Sequence, residues 1–111
     1  MPYLENEDFY GLDSLVKVTG NSINKRITVV APDGVVIADS KNDPDSLENH
    51  SNRPEIISAL RNGSGSNQRY SSTMNKEMLY HASTLKKGSR TIAVVRISVL
   101  LEDINSIVDL L

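Results

Sequence analysis

Cysteine is absent from this 111-residue chain, which removes disulfides, thiolate nucleophiles and thiolate metal sites together. The compartment stays open on that ground, because a domain with no disulfide to maintain can sit on either side of a bacterial membrane. Long apolar runs are absent too. Residues 35–38 and 92–95 are typical of the longest, far short of the ~20 residues a helix needs to cross a bilayer. The opening MPYLENEDFY has neither the basic flank nor the apolar centre of a signal peptide. No one sign of charge dominates. The 12 basic and 14 acidic residues give a net charge of -2 and are mixed along the chain, so no broad electropositive face for nucleic acid is implied. Ser40, Ser71, Ser72 and Ser98 have no nucleophile-elbow context, and paired carboxylates alone do not argue glycoside hydrolysis. An enzyme is therefore not expected.

What is present is the composition of one soluble globular domain, 39 % apolar and 23 % charged. Phe9, Leu12, Leu15, Val16 and Ile23 recur at helical spacing, so the first element is expected as a helix over 8–24 with Asp8 as its cap. Gly20 and Asn21 weaken its last turns. Two β-branched runs, 27–30 and 35–37, flank Pro32-Asp33-Gly34. This is a hairpin signal with a type I turn and a bulge at Gly34, and it makes Asp33 a turn residue. Pro44, with Asp43 before it, starts a short helical turn. Pro54 starts a second helix, with Glu55 in its acidic first turn, Gly63 beyond its end and Ile56, Ile57 and Leu60 as its buried stripe. NGSGSN at 62–67 reads as a mobile or tightly turned link. Three strand-like runs follow, 68–73, 78–85 and 91–99, separated by turns at Asn75-Lys76 and at Lys87-Gly88-Ser89. The last is apolar apart from Arg96 and reads as a central strand covered on both faces. The tail returns to helical spacing through Leu101, Ile104, Ile107, Val108 and Leu111. The sum is an α+β domain with a five-stranded antiparallel sheet, a long N-terminal helix, short helices between strands two and three, and a C-terminal helical segment.

The stretch DSKNDPDSLENHSNRPEIISAL, residues 39–60, concentrates charge and proline. Asp39, Asp43, Asp45 and Glu48 invite a calcium reading, but their spacing lacks the glycine and glutamate of a calcium loop. Asp39 and Asp43 are expected to turn or cap the chain, with Asp45 and Glu48 in solvent or paired with basic groups. His50 and His81 have no cysteine beside them to make a zinc site, so no metal or cofactor is expected. Arg53, just before the Pro54 helix, offers a planar five-donor fork beside free helix-start amides, suited to a carboxylate or phosphate. The same features suit an internal salt bridge with Asp39 or Glu55. Arg69, Tyr70, Tyr80 and His50 are its companion candidates for ligand binding.

The motif series Asp39-Ser40, Asp43-Pro44, Glu48-Asn49-His50, Arg53-Pro54-Glu55 and Ala59-Leu60, followed by Arg69, Ser71, Thr73, Leu79-Tyr80 and Ala82, resembles the extracytoplasmic sensor domain of phosphate-regulon-type sensor histidine kinases. The resemblance covers about residues 23–104. It implies a PAS-like or single-Cache-like core over 26–99, a helix arriving from the membrane and a segment over 100–111 returning to it. The whole chain, 1–111, is then one sensor domain whose membrane crossings lie outside Met1 and Leu111, with Met1 an added start residue. Kinase catalytic and nucleotide-binding motifs are absent from the chain. Thr84 and Leu100 stand where that family commonly has proline, which leaves the last strand free to run straight into the terminal helix.

The implied function is signal input at a bacterial cell membrane, in response to an unknown small ligand or an envelope protein. A free-standing soluble binding protein is the alternative of a different class. A homodimer is expected in the full receptor. Leu12, Leu15, Val16, Ile104, Val108 and Leu111 are the candidates for its interface, and packing onto the domain's own sheet is the competing use of each.

Overall fold

The computed structural model describes residues 8–72 and 74–111. Met1, with the rest of the first seven residues, and Thr73 lie outside the described residues. Helix α1 spans Phe9–Ile23, capped at its start by the Asp8 side chain, which accepts from the Gly11 N–H at 2.9 Å, and closed by Asn24 in the left-handed region. Gly20 does not end it. A Cβ at Gly20 would lie 2.4 Å from the Ser40 Cβ, so the position that weakens the helix locally lets it press against the end of the second strand.

Strands β1 (Arg26–Val30) and β2 (Val36–Asp39) form the expected hairpin. Gly34 has φ of +90°, and Asp33 Oδ1 accepts from the Val35 N–H, as a turn residue should. A 3-10 turn at Pro44–Ser46 is capped by Asp43. Helix α2 (Pro54–Asn62) begins at its proline and ends at Gly63, φ +92°. Strands β3 (Ser64–Ser71), β4 (Lys76–Lys87) and β5 (Arg90–Leu100) follow, and β5 passes directly into helix α3 (Leu101–Leu110). The sheet order is β2-β1-β5-β4-β3, with every neighbouring pair antiparallel.

Each face of the sheet carries one apolar cluster. Leu12 and Val16 of α1 pack on Ile27, Val29, Ala38 and Ala93. On the opposite face, Ile56 and Ala59 of α2 pack on Val30, Val36, Ala82 and Val94. Full burial of a side chain such as Leu12 or Ile56 contributes roughly 1.5–3 kcal/mol.

Two expectations need correction. NGSGSN is not a link: residues 64–67 belong to β3 and pair with 80–83 of β4. Its small residues serve close packing, because a Cβ at Gly65 would lie 2.4 Å from the Ser58 Cβ of α2. The buried stripe of α2 is also rotated. Leu60 is exposed, and the buried positions are Glu55, Ile56 and Ala59. A glutamate takes the inward position because two arginines meet it there.

Candidate functional site

Alternation along a strand puts Val94, Arg96, Ser98 and Leu100 of β5 on one face. Their lateral partners continue the rows. Thr28 and Ala82 flank Arg96, Arg26 and Tyr80 flank Ser98, and Met78 lies beside Leu100. Helix α2 has nine residues and covers the apolar end of this face. The polar end is left to a cleft of about 840 Å³, within the usual size of small-molecule sites. Arg26, Tyr80, Arg96, Ser98 and Leu100 form its floor. Its walls come from the segment after β2, through Lys41, Leu47, Glu48, His50 and Arg53, and from Arg69 and Tyr70 of β3.

Below the cleft runs a continuous buried polar chain. Glu55 is fully buried and accepts from Arg69 at 2.6 and 3.1 Å and from Arg96 at 3.2 Å. Arg96 also donates to Thr28 Oγ1 at 3.3 Å, and Thr28 donates to Asp39 Oδ2 at 2.8 Å. Asp39, fully buried as well, receives the Arg26 guanidinium at 2.9 Å and the backbone N–H groups of Lys41 and Asn42. The Tyr80 ring lies 3.8 Å from the Arg69 guanidinium carbon and 4.9 Å from that of Arg96, a cation–π arrangement that helps hold both cations. All five strands and α2 contribute to this assembly. It holds Arg26, Arg69 and Arg96 in place.

Its electrostatics follow from those contacts. Burial pushes the Asp39 carboxyl up, but hydrogen bonds from Arg26, Lys41 and Thr28 outweigh it and hold the group below its ordinary value. Glu55 behaves alike, burial being overcome chiefly by Arg69. For Arg96, burial and the neighbouring Arg26 push the value down and Glu55 pulls it back; an arginine stays charged throughout. His50 is lowered by burial and then by Arg96 and Arg53. Its Nδ1 lies 2.8 Å from the Glu48 carbonyl, which can only accept, so Nδ1 carries the proton and the neutral ring keeps Nε2 as an acceptor.

The five ligand candidates, Arg53, Arg69, Tyr70, Tyr80 and His50, all line this one cleft. The ion pairs offered for Arg53 are not the ones formed. Arg53 pairs with Glu48 at 2.8 Å, since Asp39 is taken by Arg26 and Glu55 by Arg69 and Arg96. Sequence reasoning missed Arg96, Ser98 and the inward Glu55. The available signal was Arg96 itself, a lone cation in an apolar central strand that has to find a buried partner, with Ser98 two residues on and on the same face. Arg96 Nε and Ser98 Oγ are buried and have no hydrogen-bond partner among the described residues.

The interface candidates divide. Leu12 and Val16 are buried in the α1 cluster and so are unavailable to a second copy. Leu15, Val108 and Leu111 are exposed, and Ile104 is half-buried.

The architecture has counterparts among solved structures. The ligand-binding domain of the Campylobacter jejuni chemoreceptor Tlp3, in complex with 4-methylisoleucine, superposes with a TM-score of 0.71 at 16 % identity over 89 % of this chain. The same domain in complex with L-valine gives 0.71 at 17 % identity, again over 89 %. This chain and these domains share a fold. The chain spans only 42 and 43 % of those two chains. No protein-family model and no curated protein sequence matches it.

Proposed function

We propose that this chain is the extracytoplasmic input module of a bacterial two-component sensor histidine kinase, and that a small ligand bound in the cleft biases the packing of its terminal helices. The observation that carries the reading is the pair of buried, unpartnered groups, Arg96 Nε and Ser98 Oγ, in a cleft whose arginines are already held in place. Buried polar groups without partners are costly, and a ligand acceptor would relieve that cost. Leu100 and Asp103 also line the cleft, so occupancy touches the β5–α3 junction and has a direct route to the terminal helix. The motif series over 23–104 supports the kinase assignment. The Tlp3 domains, crystallised with small amino acids, support a small ligand in this fold. The module itself is non-catalytic in this reading.

A second reading, a dimerisation or docking module without a small ligand, is favoured by the exposed Ile107, Val108 and Leu110 on α3. A thermal-unfolding screen against organic acids, phosphate, amino acids, nucleotides, divalent cations and cell-wall fragments separates the two. Selective binding to the folded state adds about 2.7 kcal/mol at a hundredfold excess over Kd. Ligand sensing predicts a saturable rise in Tm that is weakened in Arg53→Gln. Absence of any rise across the panel, with concentration-dependent self-association, would transfer the assignment to the docking reading.

A further inference from the structure

The charge of the cleft is one-sided. Its basic side chains are Lys25, Arg26, Lys41, Arg53, Arg69 and Arg96. Their carboxylate partners are four: Asp103 for Lys25, Asp39 for Arg26, Glu48 for Arg53, and Glu55 shared by Arg69 and Arg96. Six cations against four anions leave two positive charges, with His50 neutral. Lys41 carries one of them, having no ion pair among the described residues.

The carboxylate acceptors are committed. Both oxygens of Glu55 receive guanidinium donors. Asp39 Oδ1 receives the Lys41 and Asn42 N–H groups, and Oδ2 receives Thr28 and Arg26. Glu48 and Asp103 are exposed at the rim and each already holds a cation. The donors are not exhausted. A guanidinium has five N–H bonds, and Arg96 Nε and the Ser98 hydroxyl are buried without a partner.

Recognition of a free amino acid needs an acceptor for its ammonium as well as donors for its carboxylate. This cleft supplies the second in quantity, and for the first it offers only neutral acceptors such as His50 Nε2 and no uncommitted carboxylate. Its volume of about 840 Å³ also exceeds the needs of a lone inorganic oxyanion.

Resting on the ligand-sensing reading above, we infer that the cleft takes a small organic acid with two anionic groups and no ammonium, one group meeting Arg96 and Ser98 and the other the Lys41 side. The ligand class therefore differs from that of the two Tlp3 complexes, whose ligands are a valine and a methylated isoleucine.

Calorimetric titration of the chain at pH 7 and low ionic strength tests this, with succinate, glutarate, adipate and citrate as probes beside acetate, inorganic phosphate and L-valine. At least one di- or tricarboxylate is expected to bind saturably, at least tenfold more tightly than acetate, with no heat from L-valine. Lys41→Gln, on an unpaired surface side chain, is expected to weaken that acid threefold or more. Ser98→Ala is expected to weaken both the acid and acetate. Binding of L-valine in preference to every acid overturns the ligand class and leaves the sensing reading intact, as does binding of phosphate alone. No binding of any of these probes overturns the ligand class, and the sensing reading falls with it only if the wider thermal-unfolding screen is blank as well.

Discussion

Glu55 shows at the scale of one residue how much of the site depends on a single charge. It is fully buried and is the one carboxylate shared by Arg69 and Arg96, so replacing it strands a cation inside the protein. Breaking a buried pair from one side costs about 3–5 kcal/mol. Glu55→Ala is expected to lower the unfolding free energy by that order in a urea titration, whereas Glu48→Ala, at an 80 % exposed side chain, should change it by less than about 1 kcal/mol. Composition and spacing mark both residues as acidic positions around a proline-started helix, yet only the fold separates them. Helical phase alone would have turned Leu60 inward. The arginines of β3 and β5, which lie far along the chain from Glu55, favour the rotation that buries it. Arg53 was legible as a ligand candidate because it precedes a helix start. Its actual partner, Glu48, is five residues away and is one of several carboxylates that local sequence leaves equivalent.

At the scale of elements, helices and the hairpin announce themselves through caps, prolines and Gly34, because these devices act over a few residues. Strand β3 did not. Its half-buried positions are Gly65, Asn67, Arg69 and Ser71, so the apolar alternation that identifies a strand is missing, and glycine and serine mimic a linker. The physical requirement is the approach of α2. Gly65→Ala would place a Cβ within 2.4 Å of Ser58 and is expected to destabilise the domain by roughly 1–3 kcal/mol, the usual cost of overpacking, as measured by denaturant midpoint. Thr84 illustrates the converse. Its backbone N–H donates to the Gly63 carbonyl at 3.0 Å, a bond that a proline at that position could not make. At the other departure, Leu100, β5 passes into α3 without a break. Helix α3 is tethered by the exposed pairs Lys76–Glu102 and Lys25–Asp103, which contribute little each. In the proposed function it is the element that a filled cleft would shift.

For the whole molecule, the buried polar chain makes stability acid-sensitive, with a defined sign. His50 is lowered in the folded state from an ordinary 6.5, so the unfolded chain binds a proton that the folded one resists, and stability begins to fall once pH drops below about 6.5. Asp39 and Glu55 are lowered from 3.8 and 4.5. Their contribution is present above those values and is lost as pH falls through the lower, folded-state values. Urea unfolding from pH 8 to 3 should therefore show a flat region, a decline beginning near pH 6.5 and a steeper loss below about pH 4.5. His50→Gln should remove the first decline and keep the second.

The location of binding is the most direct test of ligand sensing through this cleft. Backbone amide chemical shifts of the chain, titrated with whichever di- or tricarboxylate binds, should move at Lys41, His50, Arg53, Ser98 and Leu100 and extend into the first turn of α3. Shifts confined to the opposite face, around Leu15, Val95 and Ile97, would contradict the cleft as the sensing site.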